Sequence, residues 1–363
     1  MSAPSLTHPS AARMPPRMPP FTLDKTKYTS TMRIGPWTIV ATKKPILNGK
    51  EIDAAEKSLN LPLPEMTFGN NSLVLTYDPA ASSSSSASAG QAPRESLEGS
   101  KSGSGDDVPL RISFNALEAL AGVATGEGWE ERVGGGVKVS MAEQWGKNRS
   151  TPSVLLSDTP LPSKPVKPHD WTYSTCYAGS IAGPSRFERS EQHAIPMKLL
   201  ARQDPVLDQI LYYDDVSLFE DELHDNGESI LNVRIRVMPH SFFILSRLFL
   251  RVDNVLFRIH DVRIYHAFGS GEIVREVSGM EAEYADVKAR LEKPSDLSPL
   301  ANPNFVHSVM SSLSSDTGRP PLPHRGSSAR GKAWPGLGKR IEVLRIEGLN
   351  VDGATGGLQR LGI

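Results

Sequence analysis

From Val216 onward the chain alternates apolar and polar residues with period two, the signature of strands buried on one face. Val216-Ser-Leu-Phe-Glu-Asp-Glu-Leu223 leads into the turn signal Asp225-Asn-Gly227. In Ile230 to Val237, Leu231, Val233, Ile235 and Val237 share one side, and Asn232, Arg234 and Arg236 share the other. Pro239 breaks the ladder, Phe242 to Val252 makes a long strand, Asp253-Asn254 turns the chain, and Val255 to His266 returns. Four successive strands with short connections predict an antiparallel meander, and the chain lacks the strand-helix-strand alternation of a parallel sheet. Upstream, strands are expected over Ile34 to Val40, Leu73 to Tyr77 and Arg111 to Phe114, and where Val137, Val139 and Met141 alternate with polar residues. The spacing of Ile52, Ala55 and Leu59 predicts a helix ended by Pro62 and Pro64, and Asn115 is an N-cap for a helix carrying Leu117, Leu120 and Ala121. A further helix is expected over Met280 to Leu291. The predicted fold class is α+β: mainly antiparallel β-sheet, a sandwich-like meander with packed helices.

Composition divides this pattern into one ordered domain and segments that cannot bury a core. Of 363 residues, 30 are Gly and 29 Pro, and only 38% are hydrophobic. Residues 1–31 read as a disordered leader and 32–291 as a single domain interrupted by a disordered, Ser-rich insertion at 78–109. Residues 292–333 read as a disordered Pro/Ser-rich linker and 347–363 as a tail. Between them, 334–346 is expected to dock on the domain, since its apolar residues would otherwise be stranded in a polar tail.

Charge and cysteine usage narrow the partners. Forty Lys and Arg against 41 Asp and Glu give a net charge of −1, so the electrostatic case for nucleic-acid or membrane-surface binding is absent. The densest apolar run, Ser241 to Leu250, is interrupted by Arg247, and prolines 15, 16, 19 and 20 stand where a signal peptide needs apolar residues. Cys176 is the sole cysteine, which excludes an intrachain disulfide and a multi-cysteine metal site. A soluble protein of the cytoplasm, with the nucleus as a second location, is expected.

The common catalytic signatures are missing: the P-loop, G-x-S-x-G, H-E-x-x-H and a post-strand G-x-G-x-x-G. Gly134-Gly-Gly136 precedes a predicted strand and reads as a turn. His260, Asp261 and His266 have metal-ligand chemistry and would carry the alternative reading, a metal-dependent hydrolase. On one strand, however, the two histidines share a face that Asp261 does not. Cys176 has no basic neighbour in Trp171 to Tyr177 to activate it, and the run Glu220-Asp-Glu222 reads as solvated. No cofactor is expected, and the chain reads as a non-enzyme.

Five segments together resemble one family. Leu63-Pro-Glu-Met-Thr-Phe-Gly-Asn-Asn-Ser-Leu73, Asp170-Trp-Thr-Tyr173, Leu218-Phe-Glu-Asp-Glu-Leu-His-Asp-Asn-Gly227, Arg234-Ile-Arg-Val-Met-Pro239 and Phe249-Leu-Arg-Val-Asp253 are similar to the TOR signalling pathway regulator-like (TIPRL) proteins, the TIP-forty-one-like family. The Ser-rich insertion, Pro-rich leader and long tail depart from it and suggest a fungal-type member. The resemblance implies a regulator that binds catalytic subunits of type 2A protein phosphatases and, in fungi, a Tap-forty-two-like regulator in TOR nutrient signalling.

The expected partner surface lies at Ile259 and Asp261, with Ile195 and Glu118 as further candidates in segments that resemble the family's phosphatase-contacting region. Val255, Phe257, Ile259 and Asp261 share one strand face, which turns from apolar to charged just before Arg263. Asp261 either serves a partner's donors or pairs with Arg258 or Arg263 on a solvated strand end. Trp37, Phe68, Trp171 and Tyr173 could anchor a partner but are expected to pack in the core.

Overall fold

The alternation that begins near Val216 becomes four antiparallel strands: β9 (Tyr212–Asp221), β10 (Gly227–Met238), β11 (Ser241–Val252) and β12 (Leu256–Ala267). The computed structural model describes residues 19–59, 62–79, 109–121, 173–201, 209–223, 225, 227–254, 256–317 and 338–346. The expected strand at Val137 to Met141, the Gly134 to Gly136 run and Trp171 lie outside them. Two features locate the meander's turns and register. A Cβ on Gly227, where φ is +155°, would lie 2.0 Å from the Arg251 carbonyl oxygen, so the tight turn requires glycine. A bulge beside Leu231 turns both Leu218 and Phe219 into the core.

Around the meander, β4 (Met66–Thr67), β13 (Glu272–Glu283), β14 (Gly338–Arg345) and β8 (Glu188–Arg189) complete an eight-stranded sheet of order β4-β9-β10-β11-β12-β13-β14-β8. A second sheet has the order β1-β2-β3-β5-β6-β7, from β1 (Phe21–Lys25), β2 (Thr29–Ile34), β3 (Trp37–Thr42), β5 (Ser72–Tyr77), β6 (Leu110–Asn115) and β7 (Ser180–Ala182). All strand pairings are antiparallel among the described residues. The inner faces of the two sheets share one apolar core, which gives the expected α+β class the form of a sandwich. Trp37 sits in it, with ring centroids 5.1 Å from Tyr77 of its own sheet and 5.0 Å from Phe242 and His266 of the other. Across the interface Asp214 accepts hydrogen bonds from Ser30 Oγ at 2.6 Å, Tyr212 OH at 3.0 Å and Lys43 Nζ at 2.5 Å, which tie β2 and the end of β3 to β9.

Helix α1 (Gly49–Leu59) begins at a capping box, in which Asn48 Oδ1 accepts from Glu51 N–H and Glu51 Oε2 accepts from Asn48 N–H. Helix α2 (Ala116–Ala121) starts at the expected cap, with Asn115 Oδ1 accepting from Glu118 N–H at 2.9 Å. A short α3 (Met197–Leu200) precedes β9.

Several expectations are corrected. The leader expected over residues 1–31 ends earlier, since Phe21–Lys25 and Thr29–Ile34 pair as a hairpin. The single strand expected over Ile34 to Val40 holds from Trp37 as the start of β3, but Ile34 ends β2 and the chain turns between them at Gly35, where φ is +54°. Strand β13 continues to Glu283, leaving only α4 (Tyr284–Lys288) of the helix expected from Met280. The largest correction concerns the linker 292–333, where Ser298–Ala301 is a 3₁₀ turn and Pro303–Thr317 is helix α5. Its signal was present: Asn302 Oδ1 caps Asn304 N–H, Pro303 opens the first turn, and Phe305, Val306, Val309, Met310 and Leu313 recur at helical spacing. Five serines interleaved with them made the stretch read as low complexity.

Tyr77 pairs directly with Leu110, so the ends of the inserted segment are already adjacent in a hairpin. We expect a variant lacking residues 79–108, which joins Asp78 to Pro109, to fold with an unchanged melting temperature and retain partner binding, since a shorter closure costs less entropy. A folded variant that no longer binds would overturn this.

Candidate functional site

The outer face of the eight-stranded sheet is where the two halves of the sequence reading meet. At one end α4, the 3₁₀ turn and α5 pack on it and form a second apolar cluster with Phe249, Phe257, Ile259 and Ala282 from the strands and Leu300, Val306 and Met310 from the helical side. Ile259 is only 1% exposed in that cluster. Phe257, Ile259 and Asp261 do share a face, as the alternation requires, but it is roofed by α5.

Beside this cluster, cross-strand register builds a charged ladder. Asp261 is opposite Arg247 on β11 and Ser278 on β13, while Arg263 is opposite Glu276. Arg247 grips Asp261 with both prongs, Nε to Oδ1 and Nη2 to Oδ2, each at 2.7 Å. Arg263 donates to Asp261 at 2.8 Å and to Glu276 at 2.7 Å, and Lys339 reaches Glu276 at 2.7 Å. Helix α5 seals the ladder: Arg247 Nη1 donates to Asn304 Oδ1 at 2.9 Å, and His307 Nε2 lies 3.3 Å from Arg263 Nη2 and 3.6 Å from Asp261 Oδ2. Burial works against the Asp261 carboxylate, but Arg247 and then Arg263 and His307 outweigh it and hold the carboxyl below the usual range. Burial pushes the His307 imidazole down, so it stays neutral and accepts from Arg263.

These contacts correct the expectation of a solvent-facing strand end. Asp261, 1% exposed, is paired with Arg263 and with Arg247, a partner the sequence reading did not consider. Arg258 points to the opposite face, where it donates to Glu281 at 2.5 Å and to Ser174 at 3.2 Å. An Asp261→Ala variant is expected to lose about 3 kcal/mol, because it leaves the Arg247 charge buried with only Asn304 to meet it. Urea unfolding monitored by circular dichroism measures this, and a loss below about 1 kcal/mol would mean the ladder is hydrated.

The remaining candidates fall elsewhere. Ile195 is buried just before α3. Glu118, on α2, borders a shallow hollow of about 270 Å³ on the six-stranded sheet with Ser72, Arg111, Ser113, Asn115 and Ser180. Its carboxylate accepts from Tyr177 OH at 2.8 Å and from Ser180 Oγ. Partial burial raises the Glu118 carboxyl, but the Ser180 and Tyr177 hydroxyls, Asn115 and Arg111 bring it below the usual range. Ile259 and Asp261 are therefore neighbours, and Glu118 belongs to another surface. Trp37 and Tyr173 are core residues, and Phe68 is half-buried.

His260 and His266 point between the sheets while Asp261 points outward, so the three do not converge on one ion. Among the described residues no group of three His, Cys, Asp or Glu side chains could hold a metal. Cys176 is half-buried, and no helix among the described residues is long and apolar enough to cross a membrane.

The other half of the outer face has no roof among the described residues. Register aligns Tyr213, Arg236, Phe243, Tyr265 and Val274 in one row across β9 to β13. Tyr213 is 54% exposed and the other four are half-buried. At the β9 side α3 borders the row, presenting Met197 at 48% exposure, and Arg236 Nη2 donates to the Leu200 carbonyl at 3.4 Å. Sequence reasoning placed Arg236 on this face but saw no row, since the row exists only once five strands are in register.

Comparison with known proteins adds an independent line. Residues 104–288 match the model of the TIP41-like family. The chain is 34% identical over 257 residues to the TIP41-like protein of Homo sapiens, covering 70% of this chain and 77% of that one. It is 38% identical over 274 residues to the type 2A phosphatase activator TIP41 of Saccharomyces cerevisiae, covering 72% and 65%. With the type 2A phosphatase activator tip41 of Schizosaccharomyces pombe it shares 28% over 268 residues, 74% of this chain and 88% of that one.

Proposed function

The chain belongs to the TIP41-like family, and from that premise we propose that it is a non-enzymatic regulator that binds the catalytic subunits of type 2A protein phosphatases. Two relatives are named as type 2A phosphatase activators, which supports a phosphatase as partner. The observation that carries the reading to a surface is the half-roofed outer face of the eight-stranded sheet. It exposes Tyr213 and Met197 beside half-buried Phe243 and Tyr265, the aromatic and methionine composition of protein interfaces. Ile259 and Asp261 lie on the same face under α5, so they support this surface from beneath, and a partner that touches them must first displace that helix. The finer assignment is to TOR nutrient signalling in the cytoplasm and nucleus, with a Tap-forty-two-like regulator as a second partner.

The test is a pull-down of purified chain with recombinant type 2A catalytic subunit. A stoichiometric complex is expected. Phe243→Asp, which places a charge in the middle of the row, should abolish it while leaving the melting temperature within a few degrees. Absence of any complex with the unaltered chain would remove the reading.

A further inference from the structure

Strand β1 is an open edge of the six-stranded sheet, and all five of its residues are exposed. It pairs with β2 in unbroken register, from Phe21 opposite Ile34 to Lys25 opposite Ser30. At the turn Thr26 N–H donates to the Thr29 carbonyl at 2.8 Å, so Thr26 and Thr29 are a bonded pair. Bonded and non-bonded pairs alternate along an antiparallel ladder, which makes Thr22 and Asp24 the residues bonded to β2. The N–H and C=O groups of Phe21, Leu23 and Lys25 therefore point out of the edge. The side chains of these three share one side of the strand. Phe21 and Leu23, each 37% exposed, stand opposite the core residues Ile34 and Met32, and so carry the apolar inner face past the reach of the facing sheet.

The same edge is short of anions. Asp24 is met by Arg33 at 2.9 Å, and Asp214 is met by Lys43 at 2.5 Å. Lys25, Lys27 and Lys44 are exposed and have no carboxylate partner among the described residues. Lys27 Nζ lies 4.8 Å from the centroid of the Tyr28 ring, and Lys43 N–H donates to the Tyr28 carbonyl, which brings Lys43 and Lys44 beside the β1–β2 turn. A net charge of −1 over the whole chain thus conceals a basic rim at this edge.

We propose that β1 is a docking edge for an extended, acidic segment of a partner protein, which adds to the six-stranded sheet as a further strand, its carboxylates meeting Lys25, Lys27 and Lys44 and its alternate apolar side chains lying beside Phe21 and Leu23. The surface is on the other sheet from the one that carries the phosphatase reading and does not depend on it. Three features select this occupant. The outward N–H and C=O groups call for a backbone, the apolar pair for side chains in period-two alternation, and the lysines for Asp or Glu among them. A sheet edge meant to stay empty is blunted by proline or an inward-pointing charge, whereas the inner side of β1 begins with Phe21 and Leu23. A lipid surface would satisfy the lysines but leave the outward N–H and C=O groups dehydrated and unpaired. A second copy paired antiparallel about Leu23 would set Lys25 against Phe21 and bring it no carboxylate. Because β1 has only five residues, the added ladder is short, and charge gives the contact its selectivity and its dependence on salt.

Two measurements test this. In the first, displayed dodecapeptides are selected on the full chain and, in parallel, on Leu23→Pro and on the double variant Lys25→Glu, Lys27→Glu. Proline at position 23 removes an N–H that does not bond β2, so the hairpin is kept. The expected result is enrichment, on the parent alone, of peptides that alternate β-branched or aromatic residues with Asp or Glu. A selected peptide, made synthetically, should bind either variant at least tenfold more weakly than the parent, should bind Lys293→Glu like the parent, and should weaken as salt is raised. Selection of the same peptides by all three chains, or of peptides without acidic residues, would overturn the proposal. The second measurement is amide hydrogen exchange on the unaltered chain, which needs no variant to fold. The amides of Phe21, Leu23 and Lys25 should exchange freely in the chain alone and become protected when the peptide is added. Unchanged exchange at those amides in the peptide complex would overturn the proposal. So would binding of phosphatidylserine and phosphatidylcholine vesicles that the double variant loses while no acidic peptide is selected, or a dimer in sedimentation that Leu23→Pro abolishes, since these would give the edge to a lipid surface or to a second copy.

Discussion

Replacing Trp37 with Ala is expected to lower the stability of the domain by about 4 kcal/mol. Trp37 is 1% exposed and is the largest fully buried side chain at the junction of the two sheets. Its ring packs edge-on against Tyr77 from one sheet and Phe242 and His266 from the other, so truncation opens a cavity that neither sheet can fill without giving up the other's contacts. The indole Nε1 finds no acceptor among the described residues, so removing it forfeits no hydrogen bond and the loss is one of packing alone. Urea unfolding should show a lower midpoint with an unchanged slope. A loss under about 2 kcal/mol would mean that the sheets close up around the smaller side chain.

Acidification should be as damaging as that truncation, and it should begin well above the carboxylate range. His260 and His266 are buried on the inner face of β12, and desolvation lowers each from 6.5 to about 4. His266 donates from Nδ1 to the Glu272 carbonyl at 2.9 Å and is hemmed in by Trp37, Phe242 and Phe268. That hydrogen bond raises its pKa without offsetting burial. For His260, Asp261 raises the pKa and Arg340 adds to the lowering. The folded state keeps both rings neutral, whereas the unfolded chain protonates them near 6.5. Their contribution is therefore fully present above 6.5, falls as the pH drops from 6.5 toward 4, and is constant below 4. The loss amounts to roughly 3 kcal/mol for each histidine across that window. His307, lowered in the same direction, adds to the upper part of it. Asp261 and Asp214, whose pKa values are lowered by their partners, act only as the pH falls through and below 3.8. A series of urea midpoints from neutral pH to pH 4.5 tests this. His266→Phe should remove its share of the slope, and a flat profile between pH 6.5 and 4.5 would show that the rings are hydrated.

Local pattern was enough wherever structure follows from neighbours in the chain. The meander β9 to β12 was legible because each strand alternates strictly and is bounded by Gly227, Pro239 or Asp253-Asn254, and only one registry puts Leu231, Val233, Ile235 and Val237 inside. Helix α1 was legible from its apolar spacing, and α2 from the Asn115 cap. Helix α5 had the same kind of signal in Phe305, Val306, Val309, Met310 and Leu313 but was lost to a reading based on serine content, although composition does not decide whether an apolar stripe finds a partner. The partner it found, the surface of Phe257 and Ile259, is more than forty residues earlier in the chain.

Burial and charge pairing at Asp261 belong to the tertiary structure alone. The sequence could name Arg258 and Arg263 as neighbours, but alternation sends Arg258 to the opposite face, and the decisive grip comes from Arg247, placed opposite Asp261 by the β11–β12 register. The same holds for Arg236, where the sequence determined the face it occupies and the period-two pattern that put it there. Which acidic residue meets each of the arginines on that face depends on which residues neighbouring strands bring side by side. Cross-strand neighbours are set by register over whole strands, a long-range property that no window along the chain contains.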